Sequence, residues 1–207
     1  MQDAYREQQY GFRRGRSTID ALKRVCGIAE RCKRKGLTCA MVVLDIMNAF
    51  NTLRWRRILE EARERRLPGQ LMRILGDHLS KRKIVVLQEE EIAKRIYAGV
   101  SQGSALGPLL WISVYDGLLR ALDSFKDVDA VALADDLALM ITIRKMHEIG
   151  DRVCGLLETV ADWCNDAGLR LAIEKTEVIL LTGKRVPKVF IIDVGRGGNH
   201  HQRKNQV

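Results

Sequence analysis

Residues 128–143 read Val-Asp-Ala-Val-Ala-Leu-Ala-Asp-Asp-Leu-Ala-Leu-Met-Ile-Thr-Ile. Two apolar runs, each the length of a short strand, flank the adjacent carboxylates Asp135 and Asp136. Such a pattern reads as a tight β-hairpin with the acidic pair at its turn. Aspartate is also an ordinary turn residue. Taken alone, the pair fits a plain turn at least as well as a chemical site, and the rest of the chain has to decide.

The chain has 207 residues and is 46% hydrophobic, enough for one domain, or one and a half, with a sizeable core. No apolar run approaches the length of a membrane span. The first ten residues are polar and lack the apolar centre of a signal peptide. An intracellular protein, nuclear or cytoplasmic and with no membrane partner, is the expectation. The five cysteines (26, 32, 39, 154 and 164) include no C-x-x-C pair, which argues against a zinc site or a disulfide framework and for buried free thiols. A net charge of +9 favours a polyanionic partner, nucleic acid before a membrane surface.

Along the chain, a basic loop at 10–16 leads to Ser17, an N-cap with Asp20 three residues on. A helix follows with Ile19, Leu22, Val25, Cys26, Ala29 and Cys32 as its apolar face, stopped by Gly36. Residues 38–44 are nearly all apolar, which suits a strand buried on both faces, and they end in Asp45. A carboxylate at the end of a buried strand needs a partner or a metal, although a cap or turn role also fits Asp45. A helix over 54–66 carries six arginines interleaved with Glu60, Glu61 and Glu64. A second helix ends near Leu79. A hairpin is expected over 84–100, with its turn at 89–91. The segment 99–108, with three glycines and a proline, precedes a helix striped by Leu110, Val114, Leu118 and Leu122. After the acidic hairpin comes a long helix over 145–167, its inward face running from Met146 to Trp163 and its end set by Gly168. The runs 169–173 and 177–182 suggest a further hairpin. From 183 onward the pattern gives a loose, basic tail.

This order predicts an α+β fold, a mostly antiparallel sheet with helices packed on one face. In such a layout Asp45 can lie beside Asp135 and Asp136. Three converging carboxylates repel one another unless a cation joins them. Hard oxygen ligands select Mg²⁺ or Mn²⁺, and two such ions can drive an in-line displacement at phosphorus. Nucleotidyl transfer and phosphodiester hydrolysis both fit that chemistry.

Five blocks, in order, resemble the reverse transcriptase of non-LTR (LINE-type) retrotransposons, most closely the R1-like arthropod elements. They are Gln9-Tyr-Gly-Phe-Arg-Arg-Gly-Arg-Ser-Thr18 with Asp20-Ala-Leu22; Val43-Leu-Asp-Ile-Met-Asn-Ala-Phe-Asn51 with Trp55; Gly99 through Trp111; Ala134-Asp-Asp-Leu-Ala138; and Trp163 with Gly168-Leu169 and Lys175-Thr-Glu177. The resemblance implies a polymerase palm, a ferredoxin-like antiparallel sheet with helices on one face, plus partial fingers, over 1–182. It implies that Asp45, Asp135 and Asp136 are the catalytic metal-binding carboxylates, with the Ile46 backbone carbonyl completing a metal shell. Phe50 would be a steric gate against a ribose 2′-hydroxyl, though a core phenylalanine is its plain alternative. Gln102 and Gly103 would line the incoming nucleotide, and Lys175 would sit near its phosphates, as a possible general acid. Arg13, Arg16, Arg54 and Arg57 would contact nucleic-acid phosphates, a sequence-independent and salt-sensitive interaction. The implied partners are an RNA template, a DNA primer and a deoxynucleoside triphosphate.

The chain departs from the family's pattern at Leu133, where an aromatic usually stands, and at Ser101, where a proline does. The first fingers blocks and the thumb are missing from this stretch. The resulting expectation is a truncated RNA-directed DNA polymerase fragment with little processive synthesis of its own. A non-catalytic nucleic-acid-binding remnant is the alternative, and a metal-dependent nuclease is a weaker third. Phe50 and the 99–108 block argue against the nuclease, because hydrolysis needs no sugar gate.

Overall fold

The computed structural model describes residues 5–80, 82–87, 91–181 and 188–190. In chain order the helices and strands are α1 (Thr18–Arg34), β1 (Thr38–Leu44), β2 (Ile46–Met47), α2 (Ala49–Thr52), α3 (Trp55–Glu64), α4 (Gly69–Ser80), β3 (Lys83–Leu87), β4 (Glu91–Arg95), α5 (Leu106–Leu122), β5 (Val128–Leu133), β6 (Asp136–Ile143), α6 (Ile149–Ala167), β7 (Arg170–Leu171), β8 (Glu177–Leu181) and β9 (Lys188–Phe190).

Five strands form one sheet in the order β5-β6-β1-β8-β9, every neighbouring pair antiparallel. β1 is central and pairs along its whole length with β6, from Thr38 opposite Ile143 to Leu44 opposite Leu137. The expected hairpins over 84–100 and 128–143 both form, as β3–β4 and β5–β6.

The sheet is covered on both faces, which corrects the expected arrangement of helices on one face. α1 packs on one side, where Ala21, Ile28 and Cys32 meet Cys39, Val131 and Met140. α5 and α6 pack on the other, where Trp111, Leu118 and Val160 join Val42, Leu44, Leu139 and Ile141. The physical reason lies in β1 itself. Strand residues alternate between faces, and β1 is apolar on both, so each face needs its own cover.

α1 opens with the anticipated capping box: the Ser17 hydroxyl accepts from the Asp20 amide, and the Asp20 carboxylate accepts from the Ser17 amide at 2.9 Å. Its buried face is only partly the expected one. Ile19 and Leu22 are 61% and 63% exposed, and Cys26 is exposed too. The expected Val25, Ala29 and Cys32 do meet the sheet, joined by Ala21 and Ile28, an i, i+4, i+7, i+8, i+11 stripe whose small residues let the helix approach closely. Met146, expected inside, is also exposed, in a 3₁₀ turn just before α6.

The runs 169–173 and 177–182 do not pair with each other. β7 pairs with β2, and β8 pairs with β1. Between them Ile173–Lys175 make a 3₁₀ turn. Both runs are claimed by the stretch 38–47, so the segment between them is a corner and not a hairpin loop. Within the expected tail, residues 188–190 form β9 against β8. The short apolar run there outweighs its polar surroundings. The rest of 182–207 lies outside the described residues.

α3 and α5 are joined by buried charge. Glu61 is fully buried and accepts from Arg65 and Arg120, each at 2.8 Å. Arg65 also reaches Asp116 at 2.8 Å, and Asp116 accepts from the Arg6 amide at 2.9 Å. The network ties the segment before α1 to both helices.

Candidate active site

Leu44 ends β1 opposite Leu137, the second residue of β6. The next residue of β1's chain, Asp45, therefore falls beside Asp136, the residue before Leu137. This register brings together carboxylates that are far apart in sequence, as expected. Partial burial, then the negative charges of Asp135 and Asp45, push the Asp136 carboxyl above the usual carboxylate range. Beneath the turn, burial raises the Tyr115 phenol well above its ordinary value, with further contributions from Cys164, Asp135 and Asp136.

The turn itself is unusual. Ala134 has φ +59°, a left-handed conformation that a residue with a Cβ seldom adopts. Two neighbours hold it there. On one side the segment Gln8–Gly11 runs along β5: Ala132 donates its amide to the Gln8 carbonyl at 2.8 Å, and the Tyr10 amide donates to the Ala132 carbonyl at 2.7 Å. Gly11 then presses so close that a Cβ there would stand 2.1 Å from the Ala134 nitrogen. On the other side the Trp111 indole N–H donates to the Ala134 carbonyl at 2.9 Å.

Trp111 also carries Phe50. The two rings stack at 5.5 Å and 29°, and Phe12 meets Phe50 edge-on at 5.9 Å. Phe50 is half-buried, so one part of the ring is open while the other is fixed. The backbone before it turns at Asn48, which is left-handed at φ +49°, a conformation that Asn adopts more readily than most residues.

The glycine-rich segment docks on this same region. The Val100 amide donates to the Phe50 carbonyl at 2.7 Å, and the Gly99 amide to the Leu53 carbonyl at 2.8 Å. The Trp55 indole donates to the Gly99 carbonyl at 2.8 Å. Arg82 donates to the Ser101 hydroxyl and, at 3.4 Å, to the Gly99 carbonyl. The Ser104 hydroxyl accepts from the Gly107 amide at 2.9 Å, closing the loop onto the start of α5. Gln102 and Gly103 stand exposed at the tip of this segment.

Lys175, from the corner between β7 and β8, donates to Asp45 at 3.0 Å, and Asp45 and Glu174 hold its ammonium pKa above the usual value. The same corner is fastened by the Ala172 amide, which donates to the Asp45 carbonyl at 2.9 Å. Ile46 has a buried side chain and pairs with Leu171.

The arginines are more occupied than the sequence suggested. Arg57 lies within 3.6 Å of both Glu60 and Asp166. Arg54 lies across Gly168 and donates to the Asp166 carbonyl at 3.2 Å. With Arg56, these residues line a surface cavity of about 290 Å³ whose walls carry both signs of charge. Arg13 donates to the Arg6 and Gln9 carbonyls, and Arg16 to the Glu7 carbonyl while lying over the Tyr10 ring. All four arginines thus fasten backbone or pair with acids.

Among the described residues, no three histidine, cysteine, aspartate or glutamate side chains gather closely enough to hold a metal ion as they stand. The structure brings Asp45, Asp135 and Asp136 into electrostatic reach but does not close them into a cage. The sequence reading missed Trp111, Arg82, Gly11 and the buried Glu61. The first and third lie inside the quoted blocks, yet a side-chain-to-backbone bond and a backbone near-contact leave no periodic signal.

A mixed fold of this kind, helices packed on an antiparallel sheet, is shared with solved telomerase structures. Apo telomerase from Candida tropicalis, truncated from its C-terminal domain, superposes with a TM-score of 0.63 at 15% identity, over 84% of this chain and 36% of that one. The family described as reverse transcriptase (RNA-dependent DNA polymerase) matches residues 1–205, and the chain belongs to it. The probable RNA-directed DNA polymerase from transposon BS of Drosophila melanogaster is 28% identical over 82% of this chain. The putative 115 kDa protein of the type-1 retrotransposable element R1DM, from the same fly, is 28% identical over 87% of it. The chain spans 19% and 17% of these two relatives. No described helix is long and apolar enough to cross a membrane.

Proposed function

We propose that the chain carries the nucleotidyl-transfer centre of an RNA-directed DNA polymerase, in a palm with partial fingers over 1–182. The observation that carries this reading is the β1–β6 register, which sets Asp45 beside Asp136 at the mouth of the segment holding Phe50 and the 99–107 loop.

The donor set fits Mg²⁺ or Mn²⁺: all are hard oxygen ligands, and the mutual repulsion felt by Asp136 is one that a divalent cation relieves. Asp45, Asp135, Asp136 and the Ile46 carbonyl would hold the metal. Bound there, it supplies charge neutralisation for the attacking and leaving oxygens of an in-line displacement. The protein's own groups do the rest. Phe50, backed by Trp111, stands as a wall against a 2′-hydroxyl. The exposed Gln102–Gly103 tip lies against the incoming nucleotide. Lys175, already drawn to an anionic oxygen, would move to the nucleotide's phosphates. RNA template and DNA primer lie along the basic surface, with Arg54, Arg57, Arg13 and Arg16 as second-rank contacts, since each already has a protein partner.

Primer extension on poly(rA)/oligo(dT) tests the reading. The expected result is short, metal-dependent extension that falls at least about 100-fold in Asp135→Asn, a loss of about 2.7 kcal/mol of transition-state stabilisation. Phe50→Val is expected to raise ribonucleotide relative to deoxynucleotide incorporation. Salt-dependent hybrid binding that is unchanged by Asp135→Asn, with no extension in either metal, would support a binding-only remnant instead.

A further inference from the structure

We infer that Trp111 is a positioning residue that sets the acidic turn and the Phe50 gate together. The inference rests on the metal-binding reading of Asp135 and Asp136. Its starting point is the strained Ala134, whose φ of +59° persists only where the surroundings over-determine it. Gly11 presses on the turn through steric contact. The Trp111 N–H adds a directional hold on the Ala134 carbonyl at 2.9 Å.

Trp111 is fully buried. Its N–H cannot exchange the carbonyl for water, so turn and indole move as one unit. One face of the same indole stacks on Phe50 at 5.5 Å, and it stacks on Tyr115 at 5.2 Å. Tyr115 packs edge-on to Trp163 at 5.9 Å, which anchors the series in the core between α5 and α6. A shift of Phe50 is thus transmitted through one rigid ring to the backbone that carries Asp135. The other two tryptophans differ. Trp55 bonds to the glycine-rich loop, and the buried Trp163 Nε1 has no hydrogen-bond partner among the described residues. Phenylalanine at 111 would keep a ring in the stack and remove only the N–H.

The test uses the whole chain and Mn²⁺ alone. Wild type is expected to bind Mn²⁺ in a manner that Asp135→Asn abolishes. Trp111→Phe, with unchanged circular dichroism, is expected to bind Mn²⁺ about 10-fold more weakly, the scale on which groups that orient metal ligands act. A second measurement needs no substitution at 111. In ¹⁵N-tryptophan protein, the Trp111 indole N–H resonance should shift during a Mg²⁺ titration with the midpoint of the Asp135-dependent site, while that of Trp55 stays in place. A folded Trp111→Phe with wild-type Mn²⁺ affinity overturns the inference. So does a Trp111 resonance that stays still while Mg²⁺ fills an Asp135-dependent site, and this decides the matter if the variant does not fold. Wild-type protein with no Asp135-dependent metal binding removes the metal-binding reading, and this inference with it.

Discussion

The Lys175 ammonium stands 3.0 Å from the Asp45 carboxylate, joining the corner after β7 to the end of β1. Lysine and a metal ion would compete for the same oxygen. Lys175→Met is therefore expected to tighten Mn²⁺ binding several-fold, read by calorimetric titration. The pair is largely exposed, and such pairs contribute little to folding, so the melting temperature should hardly move. If Lys175 then serves the nucleotide's phosphates, the same variant loses primer extension while gaining metal affinity. Unchanged Mn²⁺ affinity would show that the ammonium does not guard Asp45.

Asp136 gives a pH-dependent expectation. Its carboxyl pKa is raised in the fold by partial burial and by Asp135 and Asp45. A group that binds its proton more tightly when folded supports the fold below its unfolded pKa, and that support is lost as pH rises through the folded pKa. At neutral pH the ionised side chain therefore costs stability. Asp136→Asn should raise the urea midpoint at pH 7 and give no gain at pH 3. Millimolar Mg²⁺ should narrow the difference at pH 7 by stabilising wild type alone.

Gly11 offers a steric test. An added Cβ would meet backbone on the strained turn, not the end of a flexible side chain. Overpacking of this kind costs about 1–3 kcal/mol. Gly11→Ala is expected to lower the melting temperature accordingly and to weaken Asp135-dependent Mn²⁺ binding, because the turn is what moves. A stable variant with normal metal affinity would mean that the loop, and not the turn, gives way.

Glu61 tests the joint between α3 and α5. Its carboxylate is fully buried and accepts from two guanidinium groups. Removing one partner of a fully buried pair costs about 3–5 kcal/mol. Here Arg65 and Arg120 keep 21% and 36% of their side-chain surface in water and can rehydrate. Glu61→Gln is accordingly expected to cost about 1.5–3 kcal/mol, the scale of hydrogen bonds to charged groups, measured by urea unfolding. A loss below that range would show that the carboxylates the arginines already meet, Asp116 for Arg65 and Glu64 for Arg120, suffice to hold them.

The parts of this molecule that could be read from the sequence are those with local signatures. The capping box at Ser17, the buried strand ending in Asp45, the hairpin around Asp135 and the stop at Gly168 each announce themselves within a few residues. What failed depends on pairing at a distance. β7 and β8 resemble two arms of a hairpin, but β2 and β1 take them separately, and no turn signal distinguishes the two outcomes. The face of α1 is legible only in part: Val25, Ala29 and Cys32 meet the sheet as expected, but Ala21 and Ile28 take the places given to Ile19, Leu22 and Cys26, because close approach to a sheet favours a small residue such as Ala21 over the larger Leu22. Glu61 looked like one more acid in an alternating surface helix, since burial of an ion pair leaves no periodic mark. At the site, the residues that bear carboxylates were identifiable by type, whereas Trp111 and Gly11 act through backbone atoms of a distant turn.

The left-handed Ala134 has a consequence for how the protein reaches its working shape. The β5–β6 hairpin is a local structure and can form early. Its turn, however, is held by a glycine near the start of the chain and by a tryptophan midway along it. Neither clamp comes from the hairpin. An excised peptide of 128–143 should therefore pair its strands yet relax at Ala134. The acidic turn acquires its final geometry only after both distant segments have docked, which makes completion of the site one of the last events of folding.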